Sequence, residues 1–245
     1  MAVPNLFWLI LTVAFGPVAG SFIAAASMRL PEGRPIGLAR SACDDCGRTL
    51  GPLELVPIVS FLSLRGRCAS CGAKIHRRHL AFELAGLAIG LWGALAFQGP
   101  SALITGLLGW QLLLLATLDA EHLWLPRALT GPLIVSGLLA AWMADALPAR
   151  LIGAVVGFVL FRTLAFLYRR LRGRDGLGGG DAWLFAGAGA WVGWSNLPTV
   201  LVIGSISALL FALAPLVVGQ KLKTDRQLPF GVFLAIGIWA AWLAN

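Results

Sequence analysis

Hydrophobic residues in this chain are gathered into long, nearly unbroken runs, and polar residues are concentrated in the segments between them. Runs without a polar stripe predict helices that are apolar on every side, as in a membrane. Most runs reach the roughly 17–25 residues that cross about 30 Å of hydrocarbon. The predicted spans are residues 6–28, 80–97, 102–118, 130–147, 149–168, 182–195, 197–217 and 230–244. The pattern therefore predicts an all-α polytopic membrane protein with about eight transmembrane helices.

The composition agrees with a membrane environment. Of the 245 residues, 58% are hydrophobic and only 12% are charged, which leaves too little polar surface to cover a soluble globule. The predicted span 182–195 is the shortest, and at 1.5 Å per residue it covers only about 21 Å. We therefore expect this helix to begin below the membrane surface, which would place Asp181 in a recess.

The basic residues predict the orientation. Seventeen of the 19 lysines and arginines fall in segments that an alternation of eight spans places on one side. Because segments rich in Lys and Arg tend to stay in the cytoplasm, we predict a periplasmic N-terminus and a cytoplasmic loop at 29–79. No basic residue precedes Arg29, so the first run lacks the charged start of a cleavable signal peptide and is predicted to remain as a span.

The formal net charge of +8 is thereby explained mostly by topology, and it also suits contact with anionic lipid headgroups. No basic platform with interleaved aromatic residues accompanies it, so nucleic acid is not an expected partner. The predicted organisation is a first transmembrane helix at 1–28, a polar cytoplasmic loop at 29–79, and a membrane-embedded core at 80–245. These boundaries follow the change from polar to apolar composition.

All four cysteines lie in the loop, as Cys43-x-x-Cys46 and Cys68-x-x-Cys71 separated by 21 residues. Each short spacing lets two thiolates reach one ion, as in a tetrahedral Zn(Cys)₄ site. Two disulfides or four free thiols are the alternatives, and the reducing cytoplasm disfavours the disulfides. A four-cysteine shell has no open position for a substrate, so we expect a structural zinc ion that holds the loop together.

Two aspartates stand at the ends of predicted spans: Asp119 closes the run 102–118, and Asp181 precedes the run 182–195. Ionisable groups within a membrane cost about 2.5–3.5 kcal/mol at its centre on insertion scales, so they are hypotheses of function by default. If the two carboxyl groups converge, one shared proton leaves one of them as a base and the other as an acid. Activation of water against a peptide bond requires this combination, and the pair titrates together.

Both aspartates also have structural explanations. Asp181 has the sequence context of a helix N-cap, and Asp119 has that of a solvated residue at a helix end. The preceding glycines, Gly178, Gly179 and Gly180, favour function because they permit close backbone approach and unusual dihedral angles. The sequence leaves both explanations open.

Other polar residues are weaker candidates. Glu83 follows Arg77 and Arg78 and is predicted to be a buried or interfacial ion-pair partner, with a functional role as the alternative. His76 and His79 are possible metal ligands, but the basic run in which they lie favours a surface position. A serine or cysteine nucleophile finds little support, because the chain has no Gly-x-Ser-x-Gly elbow.

The order of these motifs resembles one family, the type IV prepilin peptidases, and the similarity runs over nearly the whole chain. Each motif is modest alone, but their order and spacing are highly specific. The matching segments are Gly20-Ser21-Phe22, Arg29-Leu30-Pro31, Ser41-x-Cys43-x-x-Cys46-Gly47, Leu55-Val56-Pro57-Ile58-Val59-Ser60-Phe61, Arg65-Gly66-Arg67-Cys68-x-x-Cys71-Gly72, Phe82-Glu83-Leu84, Asp119, Leu125-Pro126, Gly178-Gly179-Gly180-Asp181 and Leu228-Pro229-Phe230-Gly231.

This resemblance implies an aspartyl membrane protease of the Gly-x-Gly-Asp kind, with Asp119 and Asp181 as a catalytic dyad near the cytoplasmic face of the bacterial inner membrane. Such an enzyme cuts the short basic leader from type IV prepilins or type II secretion pseudopilins, after the glycine that precedes their hydrophobic helix. It then methylates the new N-terminus from S-adenosylmethionine. No motif for that cofactor is readable in the sequence. Acidic loop residues would attract the basic leader; these are Glu32, Asp44, Asp45 and Glu54.

Two positions depart from the family pattern. An acidic residue commonly follows the proline that corresponds to Pro126, and this chain has Arg127. An apolar residue and then Lys commonly follow the second aspartate, and this chain has Ala182 and Trp183. We therefore expect that Arg127 supplies the cation that usually stands beside the dyad.

Functions of other classes remain as alternatives. A transporter with a carboxylate proton relay would show charges within the spans and an internal repeat, and neither is found in the sequence. A zinc-stabilised scaffold for pilus or secretion assembly, inactive as an enzyme, would most simply have lost an aspartate. A methyltransferase without peptidase activity is a further variant. A Ser/His or Cys/His mechanism would have to use His122.

Overall fold

The fold is seen in a computed structural model that describes residues 5–34, 36, 41–173, 178–217 and 227–244. Over these residues the chain forms helices and no β-strand. The α-helices are α1 (Asn5–Arg29), α2 (Val59–Ser63), α3 (Arg77–Ala96), α4 (Pro100–His122), α5 (Arg127–Met143), α6 (Leu147–Arg172), α7 (Asp181–Val192), α8 (Leu197–Val217) and α9 (Phe230–Leu243). Two short 3₁₀ helices occupy Pro52–Leu55 and Trp194–Asn196.

Each predicted apolar run is found as a helix, so the all-helical prediction is confirmed for the described part of the chain. Five segments are long and apolar enough to cross a membrane, compared with the eight predicted; they are Asn5–Arg29, Arg77–Ala96, Pro100–His122, Leu147–Arg172 and Trp194–Leu216. Helices α5, α7 and α9 are shorter. The basic residues of 221–226, which entered the topology prediction, lie outside the described residues.

The chain forms two compact units, residues 1–110 and 111–245. In the first unit, α3 packs along α1 through glycines that are four residues apart on one helix face. A Cβ atom at Gly16 would lie 2.5 Å from the carbonyl oxygen of Gly86, and one at Gly86 would lie 2.9 Å from the backbone nitrogen of Gly20. The Trp110 indole N–H donates to the same Gly86 carbonyl at 3.0 Å. In this first unit, α3 therefore packs closely with α1.

In the second unit, α7 is the central helix, in contact with α5, α6, α8 and α9. Eleven of its 12 residues are buried. Its Trp191 indole N–H donates to the Leu133 carbonyl at 2.8 Å, and Phe185 packs on Phe161 of α6 with ring centroids 4.4 Å apart. The short apolar run at 182–195 is therefore explained by a helix that is surrounded by other helices. Its first residue, Asp181, is held at a fixed point of this core.

Candidate active site and metal centre

Asp119 lies in the last turn of α4 and is only 5% exposed. Its Oδ2 accepts a hydrogen bond from the Val232 backbone N–H at 3.2 Å. Val232 belongs to the first turn of α9, whose N-cap Pro229 makes no side-chain cap bond. The same N–H also donates to the Pro229 carbonyl at 3.2 Å, so Asp119 shares this donor at the start of α9. The expectation of a solvated residue at a helix end is wrong, because the carboxylate is buried against another helix.

Asp181 is the first residue of α7 and is 7% exposed. The N-cap position belongs to Gly180, which makes no side-chain cap bond. The Asp181 Oδ2 accepts from the Gly178 N–H at 3.0 Å, and the Asp181 N–H donates to the Gly178 carbonyl at 3.1 Å. Asp181 therefore is not the N-cap of α7, because its side chain bonds back to the glycine loop.

Leu125, in the segment between α4 and α5, contacts the backbone beside both aspartates. A Cβ atom at Gly180 would lie 2.5 Å from the Leu125 Cβ and 2.6 Å from its carbonyl oxygen. A Cβ atom at Gly231 would lie 2.8 Å both from the Leu125 Cδ1 and from the Asp119 Oδ2. Leu125 thus links the surroundings of the two aspartates, although 61 residues separate them in the sequence.

The glycines before Asp181 allow close approach of the neighbouring backbone and do not adopt unusual backbone angles. Gly180 has helical angles, with φ −77° and ψ −30°, and neither Gly178 nor Gly179 has a positive φ. The predicted unusual dihedral angles are therefore absent from this loop. The predicted close approach is found at Gly180, where the Leu125 backbone leaves no room for a side chain.

Arg127 and Trp183, the two departures from the family pattern, contact each other. The Arg127 guanidinium carbon lies 5.4 Å from the Trp183 ring centroid, which is cation–π distance. Phe158 of α6 packs on the same indole at 4.8 Å. Among the described residues, Arg127 forms no ion pair with Asp119 or Asp181. Its guanidinium is therefore positioned through Trp183.

His122, which a nucleophilic mechanism would need, is exposed at the end of α4. Its Nε2 lies 3.9 Å from a carboxylate oxygen of Glu121. All cysteines of the chain lie between residues 43 and 71, so none belongs to the same unit as His122. The arrangement gives no support to a cysteine nucleophile there.

The four cysteines of the loop form a compact cluster. Their sulfur atoms all lie within 4.8 Å of one another, and those of Cys43 and Cys71 are 3.9 Å apart. A tetrahedral ion with 2.3 Å bonds separates its sulfur ligands by roughly 3.8 Å. None of the four is in a disulfide. The cluster can therefore hold a metal ion, and the prediction of two disulfides as an alternative is not supported.

Two similar turns build this cluster. Gly47 and Gly72, which follow the cysteine pairs, have φ of +69° and +72°, a conformation that favours glycine. Their N–H groups donate to the carbonyls of Cys43 and Cys68 at 2.9 and 3.0 Å. Backbone N–H groups of Cys71 and Ser70 donate to the Cys68 sulfur and lower the pKa of this thiol to about 6. Cys68 is therefore suited to the ionised form that metals bind.

Histidines are not part of the cluster among the residues described. His76 caps α3 instead, because its Nδ1 accepts from the Arg78 backbone N–H at 3.1 Å. The Arg78 side chain donates to the Ser27 hydroxyl at 2.9 Å. Glu83 is buried, with Oε2 accepting from the Ile58 N–H at 2.6 Å, and it forms no salt bridge within the described segments. The predicted ion pair of Glu83 with Arg77 or Arg78 is therefore wrong.

Sequence reasoning did not predict the roles of Leu125, Gly231 and Val232. Val232 and Gly231 contribute backbone groups and space, which leave little trace in a single sequence. The Leu-Pro and Pro-Phe-Gly motifs that contain or flank these residues were the available signal. Their function becomes visible only once α9 is placed beside the end of α4.

Apolar helices, two buried aspartates whose neighbouring backbone contacts Leu125, and a four-cysteine cluster are the features of a membrane enzyme. Comparison with known proteins identifies one family. Residues 14–97 match the bacterial peptidase A24 N-terminal domain, and residues 106–213 match the type IV leader peptidase family. The chain therefore belongs to the type IV leader peptidase family, and it is a peptidase with methyltransferase activity.

Three similar proteins carry the name prepilin leader peptidase/N-methyltransferase. That of Burkholderia pseudomallei (strain K96243) is 35% identical over 96% of this chain and 85% of its own length. That of Dichelobacter nodosus is 36% identical over 83% and 70%, and that of Pseudomonas aeruginosa is 32% identical over 97% and 91%. No solved structure matches the chain.

Proposed function

We propose that this protein cleaves the basic leader peptide from type IV prepilins or type II secretion pseudopilins with Asp119 and Asp181 as its catalytic dyad, and then N-methylates the new N-terminal residue. The observation that carries the proposal is that Leu125 contacts the backbone beside both buried aspartates. The names of the similar proteins support the substrate and the methylation.

The chemistry follows from two carboxyl groups that share one proton. The ionised group takes a proton from a water molecule, whose oxygen attacks the scissile carbonyl carbon. The protonated group donates to the carbonyl oxygen, so that a tetrahedral intermediate forms. The carbon–nitrogen bond then breaks, and the leaving amine receives a proton. Hydrogen bonds from Val232 and Gly178 orient the two carboxylates for this exchange.

The orientation in the membrane is part of the proposal. The distribution of Lys and Arg supports a multi-pass protein of the bacterial inner membrane with about eight spans and a periplasmic N-terminus. The cysteine loop and the dyad would then face the cytoplasm, where a prepilin leader remains. The predicted organisation, with a first helix at 1–28, a loop at 29–79 and a peptidase core at 80–245, belongs to the same proposal.

Structural zinc at the cysteines is also proposed. The sulfur spacing supports a tetrahedral ion, and zinc binding would supply much of the folding free energy of a loop that has few apolar residues. The ion would be held by Cys43, Cys46, Cys68 and Cys71. It has no role in the cleavage step.

The acidic loop residues differ in their availability for the basic leader. Glu54 is paired with Arg48. The pKa of the Glu54 carboxyl is lowered mainly by a hydrogen bond from the Gly51 N–H and to a smaller extent by Arg48. Glu32 is paired with Arg34 at 2.6 Å. Asp44 and Asp45 are exposed. We therefore assign attraction of the leader to Asp44 and Asp45.

Asp181→Asn is the decisive test of the dyad. Asn keeps an oxygen that can accept from the Gly178 N–H, so the α7 start is retained while the acid–base chemistry is lost. We expect prepilin cleavage in detergent or membranes to fall by at least ~10²-fold, with little change in thermal stability. Methyl transfer to a prepilin that has already been cut should continue in the same sample.

Asp145→Asn is the matched control, because Asp145 is exposed in a turn at φ 51°, where Asn is well tolerated. This variant should cleave at the wild-type rate. Full cleavage by Asp181→Asn would sink the dyad assignment and leave a binding or scaffold role for this carboxylate.

A further inference from the structure

The first unit contains a cavity of about 440 Å³ that the peptidase chemistry does not use. Its walls are formed by the C-terminal part of α1, the start of α3 and the cysteine loop, all within residues 21–83. This volume lies in the range of small-molecule sites. Neither Asp119 nor Asp181 lines it. The cavity is therefore a candidate binding site separate from the carboxylate pair.

The most unusual group in its wall is the Glu83 carboxylate. It is 6% exposed, and its hydrogen-bond partner is the Ile58 N–H. No ion pair compensates its charge within the part of the chain that the structure describes. A buried, uncompensated charge is costly. An amide side chain would satisfy the Ile58 N–H equally well, so the charge itself calls for a cationic partner.

Ile58 strengthens this reading of the site. It adopts φ 65° and ψ −55°, a strained conformation for a β-branched residue. Such strain is typical of functional sites. The hydrogen bond to Glu83 holds this turn in place at the cavity wall. The strained turn and the buried carboxylate therefore form one prepared arrangement.

The remaining wall offers complementary chemistry. Arg29 and Lys74 are basic, Ser21 is polar, and Phe22 and Phe61 are aromatic. A ligand that fits would combine a cation for Glu83, an anionic group for a basic residue, and a flat ring for an aromatic side chain. S-adenosylmethionine has these parts: a sulfonium, an ammonium, a carboxylate and an adenine ring. It is also the methyl donor that the methyltransferase activity requires.

We propose that this cavity is the S-adenosylmethionine site, with the Glu83 carboxylate as the counter-charge of the cofactor's cationic groups. The inference rests on the methyltransferase part of the proposed function. When bound, the cofactor supplies an electrophilic methyl group. The chain contributes a buried anion, a wall of mixed charge, and a rigid floor of packed α1 and α3. His79, one turn before Glu83, is the other titratable group that lines the cavity from the body of α3.

Glu83→Gln in the full-length protein tests the proposal, because Gln keeps an acceptor for the Ile58 N–H and removes the charge. Binding of S-adenosylmethionine and of S-adenosylhomocysteine, which lacks the sulfonium charge, is measured by calorimetry in detergent. We expect the affinity for S-adenosylmethionine to fall by about tenfold or more. The affinity for S-adenosylhomocysteine should fall less. Asp145→Asn, which removes an exposed carboxylate outside the cavity, should bind both like the wild type.

Ala25→Leu provides a second variant that does not depend on charge. Ala25 is a half-buried helical residue in the cavity wall, and Leu there fills space without weakening the helix. Both ligands should lose affinity by a similar factor. Ultraviolet cross-linking of labelled S-adenosylmethionine, followed by mass spectrometry, should label peptides within residues 21–83.

Several outcomes would overturn the proposal. Cross-links in residues 111–245, or unchanged affinity in both variants, would place the cofactor elsewhere while leaving the proposed methyltransferase function intact. Displacement of the cofactor by a lysine-rich leader peptide whose own binding depends on Glu83 would make the cavity a leader site. Failure of the wild type to bind the cofactor or to methylate would reject the methyltransferase function itself. Prepilin cleavage by the wild type and by Asp145→Asn, followed in the same experiments, separates these results from a failure of the peptidase proposal.

Discussion

The cysteine cluster and the carboxylate pair are built in contrasting ways. The thiols are held by two local turns, each closed within five residues, and two of them are exposed. The carboxylates are buried and come from the ends of different helices, and their hydrogen-bond donors are backbone groups. The cluster can form wherever its loop is intact. The pair exists only when α4, α7 and α9 are packed.

This difference suits the structural role proposed for the cysteine cluster and the catalytic role proposed for the carboxylate pair. A metal ion with a four-thiolate shell has no open position, so the proposed zinc site would hold the loop together. Two buried carboxylates with few donors keep spare acceptor capacity and an incomplete balance of charge, which suits proton transfer. Substitutions in the cluster should therefore act on the fold of the loop, and substitutions near the pair should act on the rate of cleavage.

The largest effect is expected at Asp119. Asp119→Asn and Asp119→Ala should both lower cleavage by ~10²–10⁴-fold, because the acid–base chemistry is lost. Only Asn keeps an acceptor for the Val232 N–H. Asp119→Ala removes the acceptor that shares the Val232 N–H with the Pro229 carbonyl, and should lower the melting temperature in detergent. Equal melting temperatures for the two variants would show that Asp119 does not support the start of α9.

Removal of the metal should act on the other region. Cys46→Ser removes an exposed ligand, and we expect the metal content to fall from about one zinc per chain to near zero. The loop should become sensitive to limited proteolysis between residues 41 and 73, while the far-ultraviolet circular dichroism of the long helices changes little.

The matched control is Ala69→Ser, which makes the second cysteine turn, Cys68 to Cys71, more polar and keeps all four cysteines. It should retain the metal and resist proteolysis. Abundant disulfide with no metal in the wild type would overturn the zinc site and the cytoplasmic assignment of the loop together.

Gly180→Ala tests the packing that brings the carboxylates together. The added Cβ would lie 2.6 Å from the Leu125 carbonyl oxygen, and backbone cannot yield as a flexible side chain does. We expect a loss of about 1–3 kcal/mol of stability. A displacement of Asp181 by about 1 Å can lower the rate of cleavage by ~10²-fold. Stability and cleavage rate are measured on the same purified variant.

Gly179→Ala is the control for this prediction, because a Cβ atom at Gly179 has no neighbour within 4 Å and the residue lacks a positive φ. Stability and cleavage should stay close to those of the wild type. If the two alanine variants behaved alike, close contact with Leu125 would not be the reason for glycine at position 180.

The contrast between the regions also explains what the sequence could predict. Spacings within one turn, such as Cys43-x-x-Cys46, determine local geometry, so the cysteine cluster was predicted correctly as a group of possible ligands. Apolar runs predicted the positions of the helices. The number of spans stays a prediction, because a helix enclosed by other helices, such as α7, is as apolar as one that faces lipid.

The sequence pattern did not predict the tertiary contacts. The ion pair expected for Glu83 failed because Arg78 turns toward Ser27, and the carboxylate meets the backbone of Ile58, 25 residues earlier. The capping role considered for Asp181 failed because the glycine loop offers its own N–H to that side chain. Such choices depend on which element lies alongside, and a single sequence does not specify this.

The smallest effect is expected at Arg127, at the edge of the carboxylate region. Its contact with Trp183 is exposed and is worth about 0.5–1 kcal/mol, so Arg127→Ala should change cleavage by only ~2–5-fold. If Arg127 supplies a cation that acts on the dyad, its removal should also move the acidic limb of the pH–rate profile to higher pH, because a nearby cation favours ionised carboxylates. Arg127→Lys should preserve the profile. Trp183→Leu and the double variant complete a thermodynamic cycle for the Arg127–Trp183 contact. A coupling energy near zero would show that Arg127 does not act through Trp183. An unchanged pH profile in Arg127→Ala would show that Arg127 does not act on the aspartates.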